Sequence, residues 1–427
     1  MEKTMTLSSF NIKLADVCIG IIYVAPLLVV LGPNFSYISS IIIISLSIIL
    51  WRSHRFYRIL PVFIFFSGQL MLPGDISAYR VFTFLLFLKL LYLKKTSIEK
   101  KHLLPLIITL LYGVAVVLYF DVTLSFIIIF EIVLILLYIS MFIRKNFHEF
   151  FTYYVTGALI SCVFGWMMQE RAINALISID NEWVEVSRFL GSLPDPNYFG
   201  FFINIAIFSI ILLNIFKNTQ IKIVILILLY VSLFATLSIT GILCNLLLLG
   251  IYFILSDQVK KKYVLTMLLV GTFLLLNVNT IANADYPVVS DVAKRIQSQL
   301  SFGETKDFSS LTSDRTDIWI IHFDYYLQQP VHKILFGGNY LTDYGFESKF
   351  KTVSHQAYID MLLNFGLIGT LLMLFFFFHM ALYYFKKFKI ESNEKYLLLF
   401  IIKVIWVFYA FGLSMFPTWG FNLFFFL

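Results

Sequence analysis

The chain has 427 residues, of which 60% are hydrophobic and only 13% are charged. Soluble domains carry about 25% charged residues, so this composition excludes a soluble globular enzyme, a disordered chain and a disulfide-rich scaffold. The net charge of +7 comes from residues in short loops between apolar blocks, a distribution that argues against a nucleic-acid-binding groove.

The apolar residues form unbroken blocks, which predict membrane-spanning helices. In chain order, the blocks cover residues 17–32, 37–51, 59–72, 77–93, 103–120, 123–143, 149–168, 198–216, 220–238, 242–255, 264–281, 356–385 and 396–416. Residues 421–427 have the composition of the start of a further helix. We therefore predict an all-α polytopic membrane protein with about 12–14 transmembrane helices.

Lysine and arginine residues are unevenly divided between alternate loops. Most of them lie in every second loop, whereas the intervening short loops hold only Arg80, Arg171 and Arg188. Because cytoplasmic loops carry the excess of basic residues, this alternation predicts a cytoplasmic N-terminus.

Two segments on the predicted extracytoplasmic side are too long to be simple connectors. The larger one contains an amphipathic stretch at 314–327 and is expected to fold as a partly helical cap. The predicted organisation is N-terminal transmembrane helices at 1–168, a first extracytoplasmic loop at 169–197, central transmembrane helices at 198–281, a large extracytoplasmic loop at 282–354 and C-terminal transmembrane helices at 355–427.

The first polar pattern lies at the end of the shorter loop, where Arg188 precedes Asp195, Pro196, Asn197 and Tyr198. Proline before an apolar run predicts a helix start, with Asn197 as its N-cap. The backbone N–H groups of such a start, with Arg188 nearby, form a natural phosphate site. The same residues also fit an ordinary capped helix with an arginine at the membrane interface.

In the second pattern, Arg315 is flanked by Asp314 and Asp317, and Trp319 follows. A carboxylate that orients the guanidinium group would aim it at a phosphate of a ligand. The alternative is a surface arginine in a local network of ion pairs.

The third pattern places polar residues in the first turns of the block that begins near residue 356. His355, Tyr358, Asp360 and Asn364 lie toward one side of that helix. A helix N-terminus disfavours the cationic imidazole, so a neutral His355 could accept a proton. The alternative is a histidine that hydrogen-bonds lipid or water at the headgroup level. No spacing of histidine, cysteine and carboxylate residues in the sequence indicates a metal site.

Taken together and in this order, the three patterns resemble the O-antigen polymerase and ligase superfamily of bacterial surface-polysaccharide assembly. The resemblance covers roughly residues 185–370 and includes Leu-Phe-Gly-Gly at 335–338. Its most specific part is His-Gln-x-Tyr followed by Phe-Gly-Leu-Ile-Gly, at 355–369. The chain has Gln356 where the family usually has asparagine, which leaves the role of Gln356 open.

The resemblance implies a GT-C-like, metal-independent and cofactor-free glycosyltransferase of the bacterial cytoplasmic (inner) membrane, with an extracytoplasmic active site. Such enzymes take a glycan from undecaprenyl pyrophosphate and transfer it, with inversion, to another lipid-linked glycan, which polymerises O-antigen or capsular repeat units. The alternatives are an O-antigen ligase, which transfers the same donor to a lipid A-core acceptor, and a polysaccharide flippase or transporter. A chain-length regulator is a candidate protein partner.

The resemblance also assigns roles to individual residues. It implies that Arg188 and Arg315 bind the donor pyrophosphate and that His355 orients or deprotonates the acceptor. These three are the expected catalytic residues. The expected substrate-binding residues are Asn197, Asp195, Tyr198, Asp314, Asp317, Trp319, Gln356 and Tyr358.

Overall fold

The computed structural model describes residues 14–74, 76–92, 135, 138–168, 173–179, 182–255, 315–337, 356–413, 423–425 and 427. Its helices in chain order are α1 (Leu14–Leu31), α2 (Asn34–Leu50), α3 (Leu60–Phe66), α4 (Ala78–Tyr92), α5 (Phe147–Met167), α6 (Pro196–Leu213), α7 (Thr219–Ala235), α8 (Ile239–Leu255), α9 (Arg315–Leu327), α10 (Val331–Phe336), α11 (Ala357–Glu391) and α12 (Glu394–Ala410). The end of α1, Ala25–Leu31, is wound as a 3-10 helix, and further irregular turns are a 3-10 helix at His54–Ile59 and a π-helix at Ile139–Ile143. Two antiparallel hairpins pair β1 (Met71–Leu72) with β2 (Ile76–Ser77) and β3 (Ile173–Ile179) with β4 (Glu182–Arg188).

Among the described helices, α1, α5, α6 and α11 are long and apolar enough to cross a membrane. The apolar helices α2, α7 and α8 are slightly shorter. These helices confirm the predicted all-α polytopic membrane fold. The predicted helices at 103–120 and 264–281, and most of the one at 123–143, lie outside the described residues.

The single helix predicted for the block at 59–72 is wrong. The helix α3 ends at Phe66, and the chain then turns into the β1–β2 hairpin. Gly68 and the Pro73-Gly74 pair interrupt the helical pattern, and Gly74 has a φ of +80°, which favours glycine. All seven residues of α3 are buried, so α3 is a short helix packed inside the bundle.

At the centre of the bundle, α6 packs against α5, α7, α8 and α12. One polar side chain on α6, Asn204, links three of these helices. Its amide nitrogen donates to the carbonyl oxygens of Gly200 and Gly241 at 3.0 and 3.1 Å and to the hydroxyl of Tyr409 at 3.1 Å. Its oxygen accepts from the amide of Asn245 at 2.7 Å. Small residues and interhelical hydrogen bonds are typical contacts between membrane helices, because lipid itself offers no hydrophobic drive.

Replacing Asn204 with leucine, Asn204→Leu, is expected to lower the free energy of unfolding by about 1–2 kcal/mol, because the substitution leaves Tyr409 and Asn245 without their partner inside the membrane. The measurement is the thermal unfolding midpoint of the purified protein in detergent. Ser209→Ala is the control, since the Ser209 hydroxyl donates only within its own helix, to Ile205. Equal midpoints for the two variants would show that the Asn204 network contributes little.

The N-terminal end of α5 lies beside a cluster of charged residues. Arg58 pairs with Glu149 and, at 3.4 Å, with Asp16, and the Tyr57 hydroxyl donates to Glu149. Burial and the hydrogen bond to Glu149 raise the pKa of Tyr57 to about 12, so Tyr57 remains a donor.

Other basic residues from the alternate loops lie at this same end. Lys395, at the start of α12, donates to the carbonyl oxygen of Arg144 at 3.5 Å. We call this the basic end, defined by Arg58, Arg144 and Lys395. The opposite end, at which α6 and α11 begin, is called the site end.

Candidate functional site

The β3–β4 hairpin leads the chain into the site end. A long loop was expected here, although the β-branched residues of 173–179 and 184–186 are a signal for strands. Where β4 ends, the Phe189 N–H donates to the carbonyl oxygen of Ala235 at 3.0 Å, and Nε of Arg188 donates to that of Thr236 at 3.0 Å. Arg188 therefore lies at the C-terminus of α7, where the helix dipole favours a positive charge.

Asp195, and not Asn197, caps the start of α6. Its carboxylate accepts from the backbone N–H groups of Asn197 at 2.6 Å and Tyr198 at 3.3 Å, while its carbonyl accepts from Phe199 at 3.1 Å. Pro196 occupies the first helical position, so the capping position belongs to the residue before it. The amide groups expected to bind a phosphate are thus already bonded to Asp195.

Asn197 has a different partner. Its side chain is buried, and its oxygen accepts from the Ser238 hydroxyl at 2.7 Å, which joins the starts of α6 and α8. The expectation that Asn197 is the N-cap is therefore wrong.

A tight turn fixes the segment between Arg188 and Asp195. Gly191 has a φ of +59°, and a Cβ atom there would overlap the ring of Phe199. A Cβ on Gly165, at the end of α5, would lie 2.5 Å from Phe189 and 2.7 Å from the Cα atom of Gly191. The turn can pack against α5 and α6 this closely because both positions are glycine.

The start of α11 is capped by Gln356, whose side-chain oxygen accepts from the Ile359 N–H at 2.8 Å. Glutamine and asparagine both carry a side-chain amide oxygen that can accept such a hydrogen bond. The Tyr358 hydroxyl donates to the carbonyl oxygen of Val407 at 3.4 Å, and its ring lies 5.0 Å from that of Phe411. Both contacts tie the first turn of α11 to the end of α12.

The start of α6 also lies near the first turn of α11. The carboxylates of Asp195 and Asp360 both act electrostatically on Tyr198, and the Asp360 side chain is buried. Residues of the first and third polar patterns therefore lie within electrostatic range of one another at the site end.

The helix expected at 314–327 is present as α9. On its inner side, Trp319 and Tyr326 pack against Ile359 and Leu363 of α11. The Tyr326 hydroxyl donates to the carbonyl oxygen of Ile334 at 2.8 Å, which joins α9 to α10. Burial raises the pKa of Tyr326, so the hydroxyl keeps its proton.

Two glycines join α10 to α11 by direct backbone contact. Gly337 has a φ of +85° and Gly366 a φ of +64°, and α11 is kinked at Gly366. A Cβ on Gly337 would lie 2.6 Å from the carbonyl carbon of Asn364, and one on Gly366 would lie 2.5 Å from the carbonyl group of Leu335. This contact gives a physical reason for Gly337 of the Leu-Phe-Gly-Gly motif and for Gly366 of the Phe-Gly-Leu-Ile-Gly motif.

A groove of about 540 Å³ runs between α9 and α11. Its volume lies within the roughly 300–1,000 Å³ typical of ligand sites. The described lining residues are Thr316, Trp319, Ile320, Phe323 and Asp324 from α9, and Gln356, Tyr358, Ile359 and Leu362 from α11. The structure thus brings together three of the expected substrate-binding residues, Trp319, Gln356 and Tyr358.

The other expected residues are distributed as follows. His355 and Asp314 lie outside the described residues, and Arg315 is placed only as the first residue of α9. Asp317 is exposed and is not among the lining residues. Their roles stay predictions. Within the ranges that the structure describes, no three His, Cys, Asp or Glu residues form a group that could hold a metal ion.

The groove lies within a segment that is similar to a known family. Residues 223–374 match the family model described as O-antigen ligase. No curated protein matches the chain. The matched segment contains α8, α9 and α10 and the part of α11 that lines the groove. The motifs and this match agree, and the chain carries, at residues 223–374, the domain of the O-antigen ligase and polymerase superfamily.

Proposed function

We propose that the protein is a membrane glycosyltransferase that polymerises undecaprenyl-pyrophosphate-linked repeat units into O-antigen or capsular polysaccharide. The observation that carries this proposal is the groove between α9 and α11, which lies inside the matched segment and begins at the residue next to His355. Enzymes of this family act on lipid-linked polysaccharides, and the groove provides a ligand-sized site lined by the residue that follows the expected base in sequence.

The reaction is a single displacement at the anomeric carbon of the donor glycan. The acceptor hydroxyl oxygen forms the new glycosidic bond, and the bond from the anomeric carbon to the phosphate oxygen breaks. The electron pair leaves with the diphosphate, and the hydroxyl proton passes to His355. Attack from the face opposite the leaving group inverts the anomeric centre.

Arg315 and Arg188 stabilise the negative charge that develops on the diphosphate. The hydrogen bond from Nε of Arg188 to Thr236 holds that guanidinium group at the end of α7. A group held in place before the reaction needs no reorganisation when the charge develops.

The site end is proposed to face the extracytoplasmic side of the inner membrane. Arg58, Arg144 and Lys395 lie at the opposite end of the bundle, and basic residues favour the cytoplasmic side. This orientation would expose the groove to substrates carried in the outer leaflet.

An O-antigen ligase is the second candidate, favoured by the description of the matched family model. It would use the same donor and the same arginines, with a lipid A-core acceptor. Deletion of the gene separates the two functions. Loss of a polymerase leaves single repeat units attached to the cell surface, whereas loss of a ligase leaves none.

A purified preparation in lipid nanodiscs, supplied with a synthetic undecaprenyl-pyrophosphate repeat unit, is expected to give a ladder of oligomers. EDTA is expected to leave the ladder unchanged, because the proposed charge stabilisation comes from arginines. The products are measured by gel electrophoresis and mass spectrometry. A single transfer that requires added lipid A-core would identify the protein as a ligase and not a polymerase. A ladder abolished by EDTA would contradict the metal-independent mechanism.

A further inference from the structure

We propose that the groove between α9 and α11 is the acceptor-sugar subsite and that Asp324 determines its specificity. This inference rests on the proposed glycosyl transfer and adds a residue that none of the three sequence patterns contains. It concerns the ring and hydroxyl groups of the acceptor, not its lipid or its diphosphate.

The groove is built along one face of α9. Its residues from that helix follow the helical repeat, at positions i, i+3, i+4, i+7 and i+8 from Thr316. The aromatic rings of Trp319 and Phe323 stand on this face, and Tyr358 contributes a third ring from α11. Sugar rings have apolar C–H faces that stack on aromatic side chains, so this wall fits a pyranose ring.

The polar groups of the groove select among possible ligands. Among its described lining residues, Asp324 carries the one carboxylate, and no lysine or arginine is present. A diphosphate would be repelled by Asp324. An isoprenoid chain would remove water from the carboxylate without replacing its hydrogen bonds, which is costly. A sugar hydroxyl, in contrast, donates a hydrogen bond to it.

Trp319 offers a matching donor. Its indole nitrogen is buried and has no hydrogen-bond partner within the part of the chain that the structure describes. A buried donor without a partner is unfavourable, and a small rotation of the Trp319 ring toward a bound sugar oxygen would satisfy it. The groove therefore combines an acceptor, a donor and stacking surfaces, the set that a neutral polyol requires.

The position of Gln356 assigns the groove to the acceptor and not to the donor. Gln356 lines the groove and directly follows His355, the expected base. A sugar held in the groove therefore lies against the residue that directly follows the proposed base in the chain. Selecting the acceptor sugar is the step that decides which linkage is made.

The test uses the full protein in nanodiscs and the free repeat-unit oligosaccharide, which lacks both lipid and diphosphate, as a competitor of polymerisation. In the wild type the oligosaccharide is expected to inhibit competitively. In Asp324→Ala the inhibition constant should rise roughly 10-fold or more, because a hydrogen bond to a charged group is lost. Asp324→Asn, which keeps the size but not the charge, should give an intermediate value.

Gln328→Ala is the control, because Gln328 is exposed just beyond α9 and is not among the lining residues. It should match the wild type. A wild-type protein that makes no polymer would refute the proposed function. A wild type that polymerises while the Asp324 variants are inhibited equally well would refute only the acceptor subsite. Inhibition by undecaprenyl phosphate that Asp324→Ala weakens, without inhibition by the oligosaccharide, would assign the groove to lipid and also refute the subsite.

Discussion

Replacing Arg315 or His355 with alanine is expected to abolish visible chain extension while the protein still inserts into the membrane. Loss of one donor to a developing negative charge costs roughly 10²–10³-fold in rate, and loss of base assistance costs about 10²–10⁴-fold. Arg315 begins α9, one helical turn before Trp319 in the groove. The rate of oligomer formation under single-turnover conditions measures both effects.

Arg80→Ala is the control for Arg315→Ala, since Arg80 is an exposed residue of α4. Arg315→Lys should recover only part of the rate, because lysine keeps the charge but loses the planar guanidinium fork. Weak residual polymer from His355→Ala is compatible with a base that is partly replaced by water. Polymer of normal amount from either alanine variant would remove that residue from the mechanism.

Gly366→Ala is expected to destabilise the protein and to disrupt the groove. The Gly366 backbone has a φ of +64° and a ψ of −178°, a region occupied almost only by glycine, and alanine there costs about 1–3 kcal/mol. The new Cβ would also meet the backbone of Gly337 and Leu335, which cannot move away as a flexible side chain would. The contact between α10 and α11 would then open, and the groove wall formed by α9 would shift with it.

The thermal unfolding midpoint in detergent and the rate of oligomer formation should both fall in Gly366→Ala. Gly250→Ala is the control, because Gly250 lies in α8 and a Cβ there meets no atom within 4 Å. That variant should be as stable as the wild type or slightly more so, since alanine favours a helix by up to about 1 kcal/mol. A Gly366→Ala protein with the wild-type midpoint would contradict the role of the glycine contact.

Much of the candidate site was visible in the sequence because its residues lie in local patterns. The helix at α9 follows from amphipathic spacing, and Trp319, Gln356 and Tyr358 belong to two of the three polar patterns. Asp324 was missed because nothing in its neighbourhood along the chain marks it. Asp324 is recognisable as a groove residue only because the tertiary structure places α9 against α11.

Local patterns were also misread where two residues compete for one role. Asn197 and Asp195 are both good helix caps, and the expectation of Asn197 was wrong because Pro196 at the first helical position favours Asp195. Arg188 was expected to bind phosphate from its neighbours in sequence, and that role stays a prediction. Its bond to Thr236 depends on a residue 48 positions away, which no local pattern reports.

By itself, the sequence determined the membrane fold, because membrane insertion depends on the length and apolarity of each block, and these are local properties. The alternation of basic loops and the family motifs are also local properties, so the sequence alone reveals them. The tertiary structure alone decided which helix ends meet, how Gly337 and Gly366 fit together and where the groove opens. Those features arise from contacts between distant segments, whose energies depend on the packing of whole helices against one another.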